Sequence, residues 1–160
     1  MIENNALIYN FKEHGLYYQT RIEATIEREV TFALDTIQMH FNYDTGNLLA
    51  VTGFLPLIRA VRQPIDIPSC VEGKFSISMK DIEYMTGIAY DYVDYFSESK
   101  VYLLDDDLPI TYYDEMNKRI LIGTQSKSDT CIKINKNIIC GLDEDKNLKY
   151  LLIVLDTVIN

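Results

Sequence analysis

The feature that most constrains this chain is an alternating run that stops, turns and resumes. Across residues 36–43, Ile37, Met39, Phe41 and Tyr43 fall on one face, and Gln38, His40 and Asn42 fall on the other. Successive side chains of a strand point to opposite faces, so this run reads as a strand with one buried and one wet face. Asp44-Thr45-Gly46-Asn47 follows, and Gly46 can take the left-handed backbone that a short hairpin loop needs. Leu48 to Leu55 then resumes as a second strand, which Pro56 stops.

Other segments read the same way. Lys74–Met79 places Phe75, Ile77 and Met79 on one face. Further strands are expected at Lys100–Leu104, Pro109–Tyr113, Arg119–Gly123, Cys131–Ile134, Ile138–Cys140 and Leu148–Leu155, with a turn over Asp114–Lys118. The unbroken run Tyr150-Leu151-Leu152-Ile153-Val154-Leu155 predicts a strand buried on both faces near the middle of a sheet. Residues 16–35 fit two templates. Tyr18, Ile22, Ala24, Ile26, Val30, Phe32 and Leu34 occupy even positions, while Ile22, Ile26, Val30 and Leu34 recur every four residues. Thr20, Thr25 and Thr31 are poor helix formers and tip the reading toward strand. Only Lys80–Thr86 and Ile58–Val61 suggest short helices, and Gln63 to Ser69 forms a two-proline loop. The expected fold is α+β but mainly β: one domain over 1–160, an antiparallel sheet or sandwich-like domain of about eight or more strands with one or two short helices.

A chain of 160 residues with 48% hydrophobic and 24% charged residues has the composition of one ordinary globular domain. No apolar run approaches the ~20 residues of a membrane-crossing helix. The N-terminus lacks the basic stretch and apolar core of a secretory signal, which predicts a cytoplasmic protein. Three cysteines, Cys70, Cys131 and Cys140, are an odd number, and in that setting reduced thiols are expected. A two-residue turn at Asn135-Lys136 would set Cys131 opposite Cys140, and a turn one residue later would break that pairing.

The net charge of −9 disfavours nucleic acid and anionic membrane as partners and favours basic surfaces. It is concentrated. The window 81–115 holds ten acids and a single base, Lys100, so its balance equals that of the whole chain. The same window holds seven of the twelve tyrosines. Tyrosine gives large contact area at low entropic cost, and carboxylates steer a cationic partner toward it. The candidate partner-binding residues are therefore Asp91, Tyr92, Asp94, Tyr95, Glu98, Asp105, Asp106 and Asp107. The competing reading is a solvated acidic rim with its tyrosines in the core.

Signatures of catalysis are sparse. His14 and His40 are at no metal-ligand spacing from each other or from a cysteine, and the seven glycines are too scattered to cradle a phosphate. No G-x-S-x-G is present, and Asp105-Asp106-Asp107 runs into Leu108-Pro109 rather than a calcium loop. No cofactor, metal or catalytic residue is assigned.

Two stretches resemble a known family. Phe41-Asn42-Tyr43-Asp44-Thr45-Gly46-Asn47-Leu48-Leu49-Ala50-Val51-Thr52-Gly53-Phe54-Leu55-Pro56-Leu57 and Tyr112-Tyr113-Asp114-Glu115-Met116-Asn117-Lys118-Arg119-Ile120-Leu121-Ile122-Gly123 are similar to segments of small immunity proteins from bacterial contact-dependent growth inhibition systems. The resemblance implies a cytoplasmic protein that binds and blocks a cognate toxin's C-terminal domain, commonly a basic nuclease. Two alternatives stand beside it: a small carbohydrate- or small-molecule-acting enzyme using a carboxylate pair, and a structural or assembly subunit.

Overall fold

A computed structural model describes residues 5–20, 28–85, 89–91 and 110–160. Fourteen strands run along these residues in two sheets. The first contains β1 (Leu7–Asn10), β2 (Gly15–Tyr18), β3 (Glu29–Leu34), β4 (Ile37–Asn42), β5 (Leu48–Phe54), β8 (Ala89–Asp91) and β14 (Thr157–Ile159), in the order β14-β1-β2-β5-β4-β3-β8. The second contains β6 (Val61–Arg62), β7 (Val71–Glu72), β9 (Thr111–Asp114), β10 (Arg119–Gly123), β11 (Thr130–Lys133), β12 (Ile138–Leu142) and β13 (Leu148–Val154), in the order β6-β9-β10-β13-β12-β11-β7.

The expected hairpin is the β4–β5 pair. Gly46 sits at φ 76°, and Asn42 Oδ1 accepts hydrogen bonds from the Asp44 and Thr45 amides to close the turn. Only glycine fits there, because a Cβ would lie 2.1 Å from the Ile77 carbonyl oxygen. Ile37, Met39 and Phe41 are buried from this hairpin, joined by Val30, Phe32 and Leu34 of β3. They pack in one cluster with Ile120, Ile122, Ile138, Cys140, Leu151 and Ile153 of the second sheet. The two sheets therefore share a core, as sandwich layers must. Cys140 is fully buried there, and burial pushes its thiol up to about 12, so it stays protonated.

β13 is buried on both faces, as its unbroken apolar run predicts. Leu151 and Ile153 face the shared core; Tyr150 and Leu152 face a second cluster with Leu121, Ile139, Cys131 and Ile65. Ile65 comes from the two-proline loop, which folds over the outer face of the second sheet. Asp114 holds the loop there by accepting the Ile65 amide at 2.9 Å, and Arg119 Nη1 donates to the Ile65 carbonyl at 2.7 Å.

Several expectations are corrected. The sheets are mixed rather than antiparallel, since β14 on β1, β8 on β3, β6 on β9 and β7 on β11 are parallel pairs. Each of these four edge strands is two or three residues long, too short to carry an alternation signal. Helix is limited, among the described residues, to a 3-10 turn at Leu57–Arg59. Over 80–85, the described part of the expected helix Lys80–Thr86, Asp81 takes φ 67° and breaks the turn, and the expected strand Lys100–Leu104 lies outside the described residues. Lys74–Met79 keeps its predicted face, with Phe75 buried, but meets a neighbour only through a single bridge at Ser76–Asn47.

The thiols also differ from expectation. Cys70 and Cys131 form a disulfide, because β7 runs parallel to β11 and brings the residue before Val71 beside Cys131, Cα to Cα 4.6 Å. Cys140 is one position out of register with Cys131, which pairs with Gly141, because the strands are joined by a three-residue loop, Asn135 to Asn137, and not by a two-residue turn.

Candidate functional site

Of the eight residues singled out for partner binding, only Asp91 lies within the described chain, where its backbone pairs with Ala33 at the end of edge strand β8. Tyr92, Asp94, Tyr95, Glu98, Asp105, Asp106 and Asp107 fall outside the described residues. The described residues that flank this stretch are tied to the core. On β8, Tyr90 is buried, stacks at 5.6 Å on Phe32 and donates its hydroxyl to the Glu83 carbonyl. On β9, Tyr113 is fully buried against Phe11. In sequence, the stretch 92–109 thus lies between an edge strand of one sheet and the second strand of the other.

The described part of the acidic window splits into two roles. Asp81, Glu83 and Glu115 are exposed. Asp114 is buried and structural. Hydrogen bonds from the Ile65 amide and from both the side chain and backbone of Asn117 outweigh its desolvation and hold its carboxyl below the usual aspartate range. Its four described tyrosines, Tyr84, Tyr90, Tyr112 and Tyr113, are buried or half-buried, so these four serve packing rather than an exposed face. Beside β8, Arg28 pairs with Asp44 and lies over the rings of Tyr43 and Tyr84, at 4.7 and 5.5 Å.

A second arrangement was not anticipated from the sequence. β2 pairs with β5 only at Gly15–Phe54 and Leu16–Gly53. Continuing that register would set Tyr18 opposite Val51, but the ladder ends first. A groove of about 600 Å³ opens there on the outer face of the first sheet, with Tyr17, Gln38, His40, Thr52 and Glu29 among its walls. Its floor is a line of three side chains from three adjacent strands. His40 Nδ1 lies 2.7 Å from Glu29 Oε1, and His40 Nε2 lies 2.7 Å from Thr52 Oγ1. Thr31 Oγ1 adds a longer contact to Nδ1 at 3.2 Å. An ionised carboxylate only accepts, so Nδ1 carries a hydrogen toward Glu29 and Nε2 is left to accept one from the Thr52 hydroxyl. Both ring nitrogens are thus engaged, which leaves His40 poorly placed to ligate a metal. Alternation had put His40 on the wet face with Gln38. Glu29 and Thr52 join it through strand register, for which the sequence carries no direct signal.

The chain matches no known protein-family model, and no curated protein matches it.

Proposed function

We propose that this protein is an immunity-type inhibitor that binds a cognate toxin effector domain, a basic nuclease, through the acidic, tyrosine-rich stretch 91–107. The carrying observation is the concentration of charge. Ten acids and one base fall within 81–115, and the remainder of the chain is balanced. Buried Tyr90 and Tyr113, on either side of this stretch in sequence, support the reading, because they tie the residues that flank it to the core. The hairpin and the β9–β10 segment that resemble immunity proteins serve in this protein as its scaffold. The reading puts the complex in the cytoplasm.

The carboxylate-pair alternative has less support. The groove on the first sheet carries one carboxylate, Glu29. Among the described residues, the carboxyls with displaced pKa values, Asp114, Asp143 and Asp156, are all lowered, whereas a general acid needs one raised.

The triple substitution Asp105→Asn, Asp106→Asn, Asp107→Asn tests the charge argument. It is expected to slow association with the toxin domain at low salt and to flatten the dependence of on-rate on ionic strength, as read by stopped-flow or biolayer interferometry. An on-rate unchanged within about twofold would remove these three residues from the interface.

A further inference from the structure

The geometry points to a nucleophilic centre in the groove between β2 and β5, with Thr52 as an activated hydroxyl that cleaves small, neutral carboxylic esters. Three observations carry it. The hydroxyl, the imidazole and the carboxylate stand in line at 2.7 Å and 2.7 Å, the spacing at which a base takes a proton and a third group orients the base. Glu29 and His40 remain partly accessible, with side chains 39% and 15% exposed, so the line opens to the groove rather than being sealed beneath it. Gln38 is the residue paired with Thr52 in the β4–β5 register, exposed on the same face and lining the groove, and its side-chain amide is the donor we assign to the oxyanion. The groove volume of about 600 Å³ lies in the range of small-molecule sites. Glu29 and the acidic chain disfavour anionic substrates, hence a neutral ester.

The reaction balances without a co-reactant other than water. Thr52 Oγ1 bonds to the ester carbonyl carbon as its hydrogen passes to His40 Nε2. The tetrahedral oxyanion, held by Gln38, collapses and breaks the bond to the alkoxy oxygen, which leaves as the alcohol with the hydrogen from Nε2. Water adds to the acyl-threonine by the same proton route, releasing the acid and restoring Thr52. Thr52 and His40 are the catalytic residues; Glu29 is a positioning residue that acts through His40. The residues named for this centre, Glu29, Gln38, His40 and Thr52, are distinct from the stretch 91–107 proposed for partner binding.

The test uses the intact chain, a fluorophosphonate probe and peptide mapping by mass spectrometry. One adduct on Thr52 is expected. Thr52→Val, which keeps the β-branched shape, abolishes it, and Thr52→Ser labels faster than wild type. His40→Gln slows labelling by at least about a hundredfold, the usual contribution of a general base. Glu29→Gln also slows it, and Glu29→Asp recovers part of the loss, a rescue that a purely structural carboxylate would not give. Thermal melts confirm that each variant is folded, and Thr52→Ser keeps the test decisive if His40→Gln does not fold. Absence of an adduct on Thr52 in folded wild type and Thr52→Ser protein overturns the proposal, as does labelling at an unchanged rate in folded His40→Gln protein.

Discussion

Replacing Cys70 and Cys131 together with serine is expected to cost about 4 kcal/mol of stability. The cross-link joins residues 61 apart, and closing a loop of that length removes chain entropy from the unfolded state worth about 4 kcal/mol. The loop would still dock, because Asp114 and Arg119 hold Ile65 independently of the sulfurs. The loss therefore appears as an earlier denaturation midpoint with native-like structure below it. Urea titration of wild type with and without dithiothreitol is the companion measurement. Reduction should bring wild type to the midpoint of the double variant and leave the variant unmoved. A loss below about 1 kcal/mol would mean that the two thiols are not joined in the folded protein.

Phe32→Ala is the other large effect, about 3–5 kcal/mol. Phe32 is fully buried on the inner face of the first sheet, on the strand next to edge strand β8, edge-on to Phe41 at 5.7 Å and tilted against Tyr90 at 5.6 Å. Removing the ring takes away buried apolar surface and leaves a cavity among rigid aromatic neighbours. It also withdraws the platform beneath β8, so, on the proposed function, the variant is expected to bind the toxin domain more weakly even at temperatures where it remains folded. Ile58→Ala is the control: that side chain is 77% exposed, and the change should stay within about 0.5 kcal/mol. Equal losses for Phe32 and Ile58 in urea titrations would contradict the assignment of the core.

What was legible in the sequence was whatever period two can express over five or more residues. The β4–β5 hairpin, its Gly46 turn and the doubly buried β13 all follow from alternation or its absence. The strand reading of 16–35 holds where it can be compared, at β2 and β3. The parallel edge strands were not legible, because two or three residues added at the end of a long connection leave no local pattern. Nor was the disulfide, since counting three cysteines cannot reveal that a proline loop returns alongside β11. The acidic window was visible as charge, yet charge alone did not separate Asp114, which is buried and braces a loop, from Glu115, which is exposed beside Arg62. His40 was correctly placed on a wet face. Its alignment with Glu29 and Thr52 depends on the register of three strands, and a bulge between His40 and Phe41 sets that register in β4 and β5.

We propose that this chain neutralises a basic toxin domain. Co-expression with the protein encoded immediately upstream, followed by size-exclusion chromatography at low and high salt, tests it most directly. The expected result is a one-to-one complex with a basic partner that is toxic when expressed alone, with the complex weakening as salt screens the acidic stretch. Two separate peaks at low salt, from an upstream protein that is harmless by itself, would contradict the account.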